Sequence, residues 1–175
     1  MNAEALRALQ APLKQRYKDR PETALVTLKA EGRIDDGVTC SVETGRALVK
    51  AGLHPATGGD GLSVCSGDML LQALVACAGV TLRAVATAIG VELRDGVVSA
   101  EGDLDFRGTL AVTKEAPVGF RAIRLHFDLD TDSDPEKIAS LIKLTERYCV
   151  VYQTLNGTPA LSTSSSVMQE GVADG

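Results

Sequence analysis

The chain has 175 residues, 45% of them hydrophobic, four cysteines, no tryptophan and a net charge of −5. That length provides for one substantial core and not for two comfortable ones. An acidic balance with no block of Lys or Arg argues against nucleic acid or an anionic membrane as partner.

Met1 to Arg20 mixes Glu4, Arg7, Lys14, Arg16 and Lys18 with scattered leucines. This is not the apolar core of a secretory signal, so a cytoplasmic location is expected, where cysteines serve as thiols, redox centres or ligands more often than as structural disulfides. Within this stretch Leu6, Leu9 and Leu13 share one side of an amphipathic helix that Pro12 either interrupts or reopens, giving an N-terminal arm over residues 1–22. The period then changes to two. Val26, Leu28 and Ala30 alternate with Thr27, Lys29 and Glu31, and Val38, Cys40 and Val42 alternate with Thr39, Ser41 and Glu43; Asp35-Asp36-Gly37 is a hairpin turn signal between them. Cys40 falls on the apolar side, which predicts burial. Residues 44–66 read as a turn-rich loop. Its glycines, in His54-Pro-Ala-Thr-Gly-Gly-Asp-Gly61, lack the Gly-Lys-Ser/Thr ending of a phosphate-binding loop.

The longest apolar run follows, from Asp68 to Gly90, and predicts a central buried helix with Cys77 at its middle. Strong helix formers fill it, Ser66 is placed to cap it, Asp68 puts negative charge in the first turn and Gly90 supplies the stop. Its length would span a bilayer. Against that, the run is mostly Ala, Gly and Thr around a few larger residues, Arg83 is internal, and no aromatic residue marks either end. A helix apolar on nearly every side is otherwise a globular core, and with so short a chain to wrap it a partner subunit is expected to cover part of it. Ala73, Ala76 and Gly79 would permit close approach.

Beyond the helix, Val98, Ala100, Leu104 and Phe106 alternate with polar residues, as do Ile123, Leu125, Phe127 and Leu129, predicting a second hairpin or meander with His126 toward solvent. Asp134-Pro135-Glu136 opens another helix, with Ile138, Leu141, Ile142 and Thr145 inward, ending near Tyr148. Cys149 stands at the start of a short helix stopped by Asn156-Gly157. Leu161 to Val167 reads as an edge strand and residues 168–175 as a frayed tail, which leaves one domain over 23–167.

Cys40, Cys65, Cys77 and Cys149 include no Cys-x-x-Cys pair, and His54 and His126 lie far from metal-ligand spacing. Each thiol taken alone is most simply a buried core residue. Cys149, at a helix N-terminus, has the better intrinsic position for a low pKa, whereas burial in mid-helix raises that of Cys77. As a nucleophile, Cys77 needs a nearby cation.

Two motifs change this picture. Gly67-Asp-Met-Leu-Leu-Gln-Ala-Leu-Val-Ala-Cys77, with Val80-Thr-Leu-Arg83 after it, resembles the central helix of the osmotically inducible protein C family, which includes the organic hydroperoxide resistance proteins. Glu146-Arg-Tyr-Cys149-Val-Val-Tyr-Gln-Thr-Leu155 is similar to that family's second cysteine motif, and the order of elements agrees over 23–167. The resemblance implies an α+β fold, with mostly antiparallel sheets around a long central helix in an intertwined homodimer. It also implies a thiol-dependent peroxidase active in oxidative-stress defence, needing no metal, flavin or haem and reset by a dithiol reductant. By position, Cys77 matches the cysteine that attacks the peroxide and Cys149 the one that resolves it as a disulfide. Arg33 is the best match to an arginine that holds the thiolate, with Arg20 and Arg16 behind it. Asp68 stands where many members have glutamate, and Val150 where proline is common.

Asp68 and Cys77 are nine positions apart, roughly 14 Å of rise and roughly 180° of rotation on one helix. An acidic partner for Cys77 would therefore come from a second chain. The alternative, from another functional class, is a non-enzymatic small-molecule binder or redox sensor on the same fold.

Overall fold

The computed structural model describes residues 2–20, 32–34, 39–43 and 48–167. Helix α1 runs over Ala3–Asp19, and Pro12 stands inside it without ending it, so the predicted break is absent. Strands β1 (Gly32–Ile34) and β2 (Thr39–Glu43) pair antiparallel in the register Arg33↔Ser41; the Asp35-Asp36-Gly37 turn between them lies outside the described residues. The expected strand at 26–30 and the tail at 168–175 lie outside the described residues.

The stretch read as loop contains more structure than its composition announces. Strand β3 (Leu48–Gly52) pairs with β2, and β4 (Val64–Cys65) adds two parallel residues to β3, giving the order β1-β2-β3-β4. Leu48-Val-Lys-Ala-Gly52 has only a weak alternation of its own, and the ladder offered by β2 makes it a strand. A short 3-10 turn, Pro55–Thr57, intervenes; the His54 ring nitrogen Nδ1 accepts from the Ala56 N–H at 3.0 Å and the ring stacks on Phe106 at 4.8 Å.

Helix α2, Ser66–Ile89, has 24 residues. Cys65, not Ser66, occupies its N-cap, with no side-chain capping bond, because β4 runs straight into the helix and Ser66 is already its first residue. Gly90 ends α2 in the left-handed region at φ 72, donating its N–H to Ala86, a conformation that disfavours any residue with a Cβ.

Strands β5 (Asp95–Leu104) and β6 (Phe120–Asp130) form a second, antiparallel sheet, joined through the short helix α3 (Phe106–Thr109) and a loop. One face, with Val98 and Ala100 opposite Phe127 and Leu125, packs inward; the other, with Ser99 opposite His126, is exposed. Gly102 is required on the inner face. A Cβ there would lie 2.4 Å from the Phe120 ring, which crosses over the strand at that point. Helix α4 (Pro135–Tyr148) follows, with Asp134 at its N-cap but without a side-chain cap bond, and then α5 (Val150–Asn156). Residues 161–167 take no strand pairing, so the expected edge strand is not formed within the chain.

Helix α2 lies against β5, α4 and α5, and also contacts α1. Its buried residues Leu74, Ala78, Leu82 and Ala86 form one stripe at four-residue spacing. Leu82 and Ala86 join Val91, Leu93 and Leu141 in one core; Leu74 and Ala78 join Cys149 in the next, each closed by the inner face of β5–β6. As expected of so short a chain, α2 is only partly covered within it: 28% of its most apolar stretch is buried, and Val80 is 74% exposed. One chain lays β5, α4 and α5, with a contact from α1, on α2, and these leave much of its surface bare.

Candidate functional site

The site forms where the middle of α2 meets the junction of α4 and α5. Cys77 stands three residues after the buried Leu74, at the edge of the stripe that faces α5, so it is half-buried. Cys149 is fully buried and belongs to both neighbouring helices. Its N–H donates to the Thr145 carbonyl at 2.9 Å, closing α4, and its carbonyl accepts from Gln153 at 2.9 Å, opening α5. This double role holds its backbone extended (φ −73, ψ 110) and fixes where the thiol points. The Gln153 side chain reaches back to the Glu146 carbonyl at 2.8 Å, tying the two helices together.

The first N–H groups of any helix lack intrahelical acceptors. In α5 those of Val150 and Val151 lie toward the Cys77 sulfur, with the Cys149 thiol and the Thr81 hydroxyl also near it. Burial alone would push the Cys77 thiol up. The donors outweigh it, the Val151 N–H most, followed by Cys149, the Val150 N–H and Thr81, and the pKa falls below its ordinary value. Cys149 moves the other way. Complete burial raises it most, the Tyr152 N–H offsets only part of this, and the neighbouring Cys77 raises it further.

This reverses the order expected from sequence, in which Cys149 had the favourable helix start. The donors of α5 serve the sulfur that faces the helix end from another element, and the residue at the cap itself is sealed in the core. The groups that lower Cys77 are neutral donors: the Val151 and Val150 N–H groups, the Cys149 thiol and the Thr81 hydroxyl. The requirement for a cation is thus met in part by neutral donors. From the sequence, Val150 stood out only as a place where proline is common, and Thr81 and Val151 only as members of the two motifs, although Thr81 stands four residues after Cys77, on the same face of α2.

Of the other predicted site residues, Arg33 has its backbone in β1 opposite Ser41, and the expectation that its guanidinium holds the thiolate lies outside the described side chains. Arg83 donates to the Leu93 carbonyl at 2.8 Å. Asp68 is exposed on the first turn of α2, in a cavity of about 350 Å³ that His54, Cys65, Phe106 and Phe120 also line; within one chain it does not join Cys77. Cys65, Cys77 and Cys149 are free thiols, and the Cys40 side chain lies outside the described ones. Among the described residues no cluster of His, Cys, Asp and Glu could hold a metal ion. A second cavity, about 410 Å³, lies between β6 and helices α4 and α5, lined by Leu74, Leu125, Phe127, Ile142, Tyr152 and Leu155, with Arg121, Glu146 and Asn156 as its polar members. Leu74 and Tyr152 pack on the two thiols as well, so they connect the cavity to the cysteine pair.

A family model described as OsmC-like protein matches residues 58–164, a span that takes in α2 and both cysteines. The chain belongs to the OsmC-like family. Solved structures of the family share the fold at low identity. The OsmC-like protein from Mycoplasma pneumoniae superposes with a TM-score of 0.64 at 16% identity, over 76% of this chain and 89% of that one. An organic hydroperoxide resistance protein OsmC from Legionella pneumophila gives 0.60 at 19% identity, over 76% and 91%. An organic hydroperoxide resistance protein from Elizabethkingia anophelis gives 0.62 at 14% identity, over 77% and 91%. No curated protein sequence matches the chain.

Proposed function

We propose that this OsmC-like protein is a cysteine-based peroxidase that reduces organic hydroperoxides or hydrogen peroxide. The observation that carries the reading is the contact between two free thiols with opposed acidities, Cys77 half-buried and lowered, Cys149 buried and raised. Such a pair has divided roles. The Cys77 thiolate attacks one peroxide oxygen, the S–O bond forms as the O–O bond breaks, sulfur gives up two electrons, and the departing alkoxide takes a proton to leave as alcohol. Cys149, as thiolate, then attacks the sulfur of the Cys77 sulfenic acid. The S–S bond forms and hydroxide leaves as water after protonation. An external dithiol returns both sulfurs to thiols by exchange.

The cavity beside the pair, with Leu74, Leu125, Phe127 and Ile142 among its walls and Arg121, Glu146 and Asn156 as polar members, has room for an organic hydroperoxide carrying an alkyl chain. Arg33 is the arginine expected to complete the field around the thiolate. The site is expected to be shared in a cytoplasmic homodimer, with Asp68 reaching the Cys77 of the partner subunit.

The test is peroxide loss on mixing reduced protein with an alkyl hydroperoxide and a dithiol. Turnover is expected, abolished by Cys77→Ser; Cys149→Ala should stop at a sulfenic acid that a dione reagent traps. Stoichiometric disulfide without turnover would make the protein a redox sensor, and no reaction would leave a small-molecule binder. Arg33→Ala should slow the reaction by orders of magnitude near neutral pH. An unchanged rate would leave thiolate stabilisation to the donors of α2 and α5.

A further inference from the structure

The carbonyls in the last turn of a helix have no intrahelical donor and must be satisfied from elsewhere. In α4 the Thr145 carbonyl is still filled, by the Cys149 N–H at 2.9 Å. The next carbonyl, that of Glu146, would accept from the Val150 N–H if the helix continued. It does not continue: Cys149 is extended and Val150 starts α5, so the helical ladder is interrupted there. The Gln153 side chain takes the place of that donor, its Nε2 donating to the Glu146 carbonyl at 2.8 Å, while the Gln153 backbone N–H donates to the Cys149 carbonyl at 2.9 Å. One residue of α5 is thus bonded to the last turn of α4 and to the junction residue itself.

We infer that Gln153 is a positioning residue for the thiol pair, its side-chain amide locking the α4–α5 junction so that Cys149 stays seated against Cys77. The inference rests on the reading of Cys77 and Cys149 as partners in one disulfide. Cys149 is buried with Leu74 and Ala78 of α2, and Cys77, Val151 and Tyr152 pack against the same cluster, so the two sulfurs are neighbours only while α5 keeps its place on α2. Gln153 is exposed and stands outside that cluster, which leaves the hydrogen bond as the contribution of its side chain. Opening this bond unfolds neither helix. It gives the junction more arrangements, fewer of them with Cys149 on Cys77, and so lowers the effective concentration of one thiol at the other.

The experiment equilibrates the protein with mixtures of oxidised and reduced dithiothreitol, quenches in acid, alkylates, and measures the Cys77–Cys149 disulfide by peptide mass. Closing that bond passes two electrons and two protons to the oxidised dithiothreitol. Gln153→Met keeps the length of the side chain and removes the donor, Gln153→Lys keeps a donor, and Thr154→Ala alters an exposed neighbour in α5. Gln153→Met should need a ratio of oxidised to reduced dithiothreitol about threefold to tenfold higher for half oxidation, the effect of one hydrogen bond. Gln153→Lys and Thr154→Ala should stay near the natural midpoint. Superposition of the Met and natural midpoints would overturn the inference. Equal displacement by Met and Lys, or by Met and Thr154→Ala, would overturn it too, by assigning the effect to packing or to the helix as a whole. Should Gln153→Met fail to fold, Gln153→Ala against Gln153→Lys makes the same comparison. The readout needs no peroxide: absence of turnover in a protein whose disulfide forms would strike the proposed function and leave Gln153 to be decided by the midpoints, whereas a natural protein that forms no Cys77–Cys149 disulfide at any ratio would overturn both.

Discussion

The Cys77 sulfur meets the Cys149 thiol where the middle of α2 crosses the start of α5, and the two shift in opposite directions, Cys77 down and Cys149 up. As pH rises, Cys77 therefore loses its proton first, below the ordinary thiol value of 9.0, and Cys149 follows above it. Iodoacetamide added at increasing pH should modify Cys77 before Cys149, and unfolding the protein should erase the difference. Equal rates for the two in the folded protein would contradict the geometry.

Val150→Pro isolates one donor. Val150 is the first residue of α5, a position where proline is well accommodated, and Cys149 before it already has the extended backbone that a following proline prefers. The helix should persist while one N–H is lost from Cys77. The expected result is an upward move in the Cys77 alkylation midpoint with an unchanged circular dichroism spectrum; an unmoved midpoint would show that the Val151 N–H is sufficient.

Leu141 is fully buried where α4 meets α2, among Leu82, Ala86, Val91 and Leu93. Leu141→Ala should cost about 2–5 kcal/mol, the sum of lost transfer energy and an unfilled cavity. Denaturant titration measures this. The Cys77–Cys149 contact lies in the adjoining core, so alkylation of the variant under native conditions should keep its order.

The uncovered side of α2 is expected to lie against a second copy of the chain. Val80 is 74% exposed, so Val80→Glu should leave the stability of an isolated chain nearly unchanged and weaken a dimer through a buried unpaired charge. Sedimentation at micromolar concentration compares the two. A natural protein that sediments as a monomer would remove the shared site with Asp68.

An unbroken apolar run of strong helix formers was enough to find α2, the Asp134-Pro135-Glu136 signal marked the start of α4, and a repeat of two gave the inward and outward faces of β5 and β6, because one side of that sheet meets an apolar layer. The left-handed stop at Gly90 was equally legible, since glycine is the residue that adopts it without cost. Strand β3 was not, because Leu48–Gly52 becomes a strand through the ladder of β2 and not through its own alternation. The two cysteines could be named from their motifs, but their acidities could not be ordered. That order depends on which sulfur receives the free N–H groups of Val150 and Val151, a contact across 73 and 74 positions of chain that only the packing of α5 on α2 creates. The sequence placed a thiol at the helix end and another in mid-helix; the tertiary structure buried the first and turned the helix end toward the second.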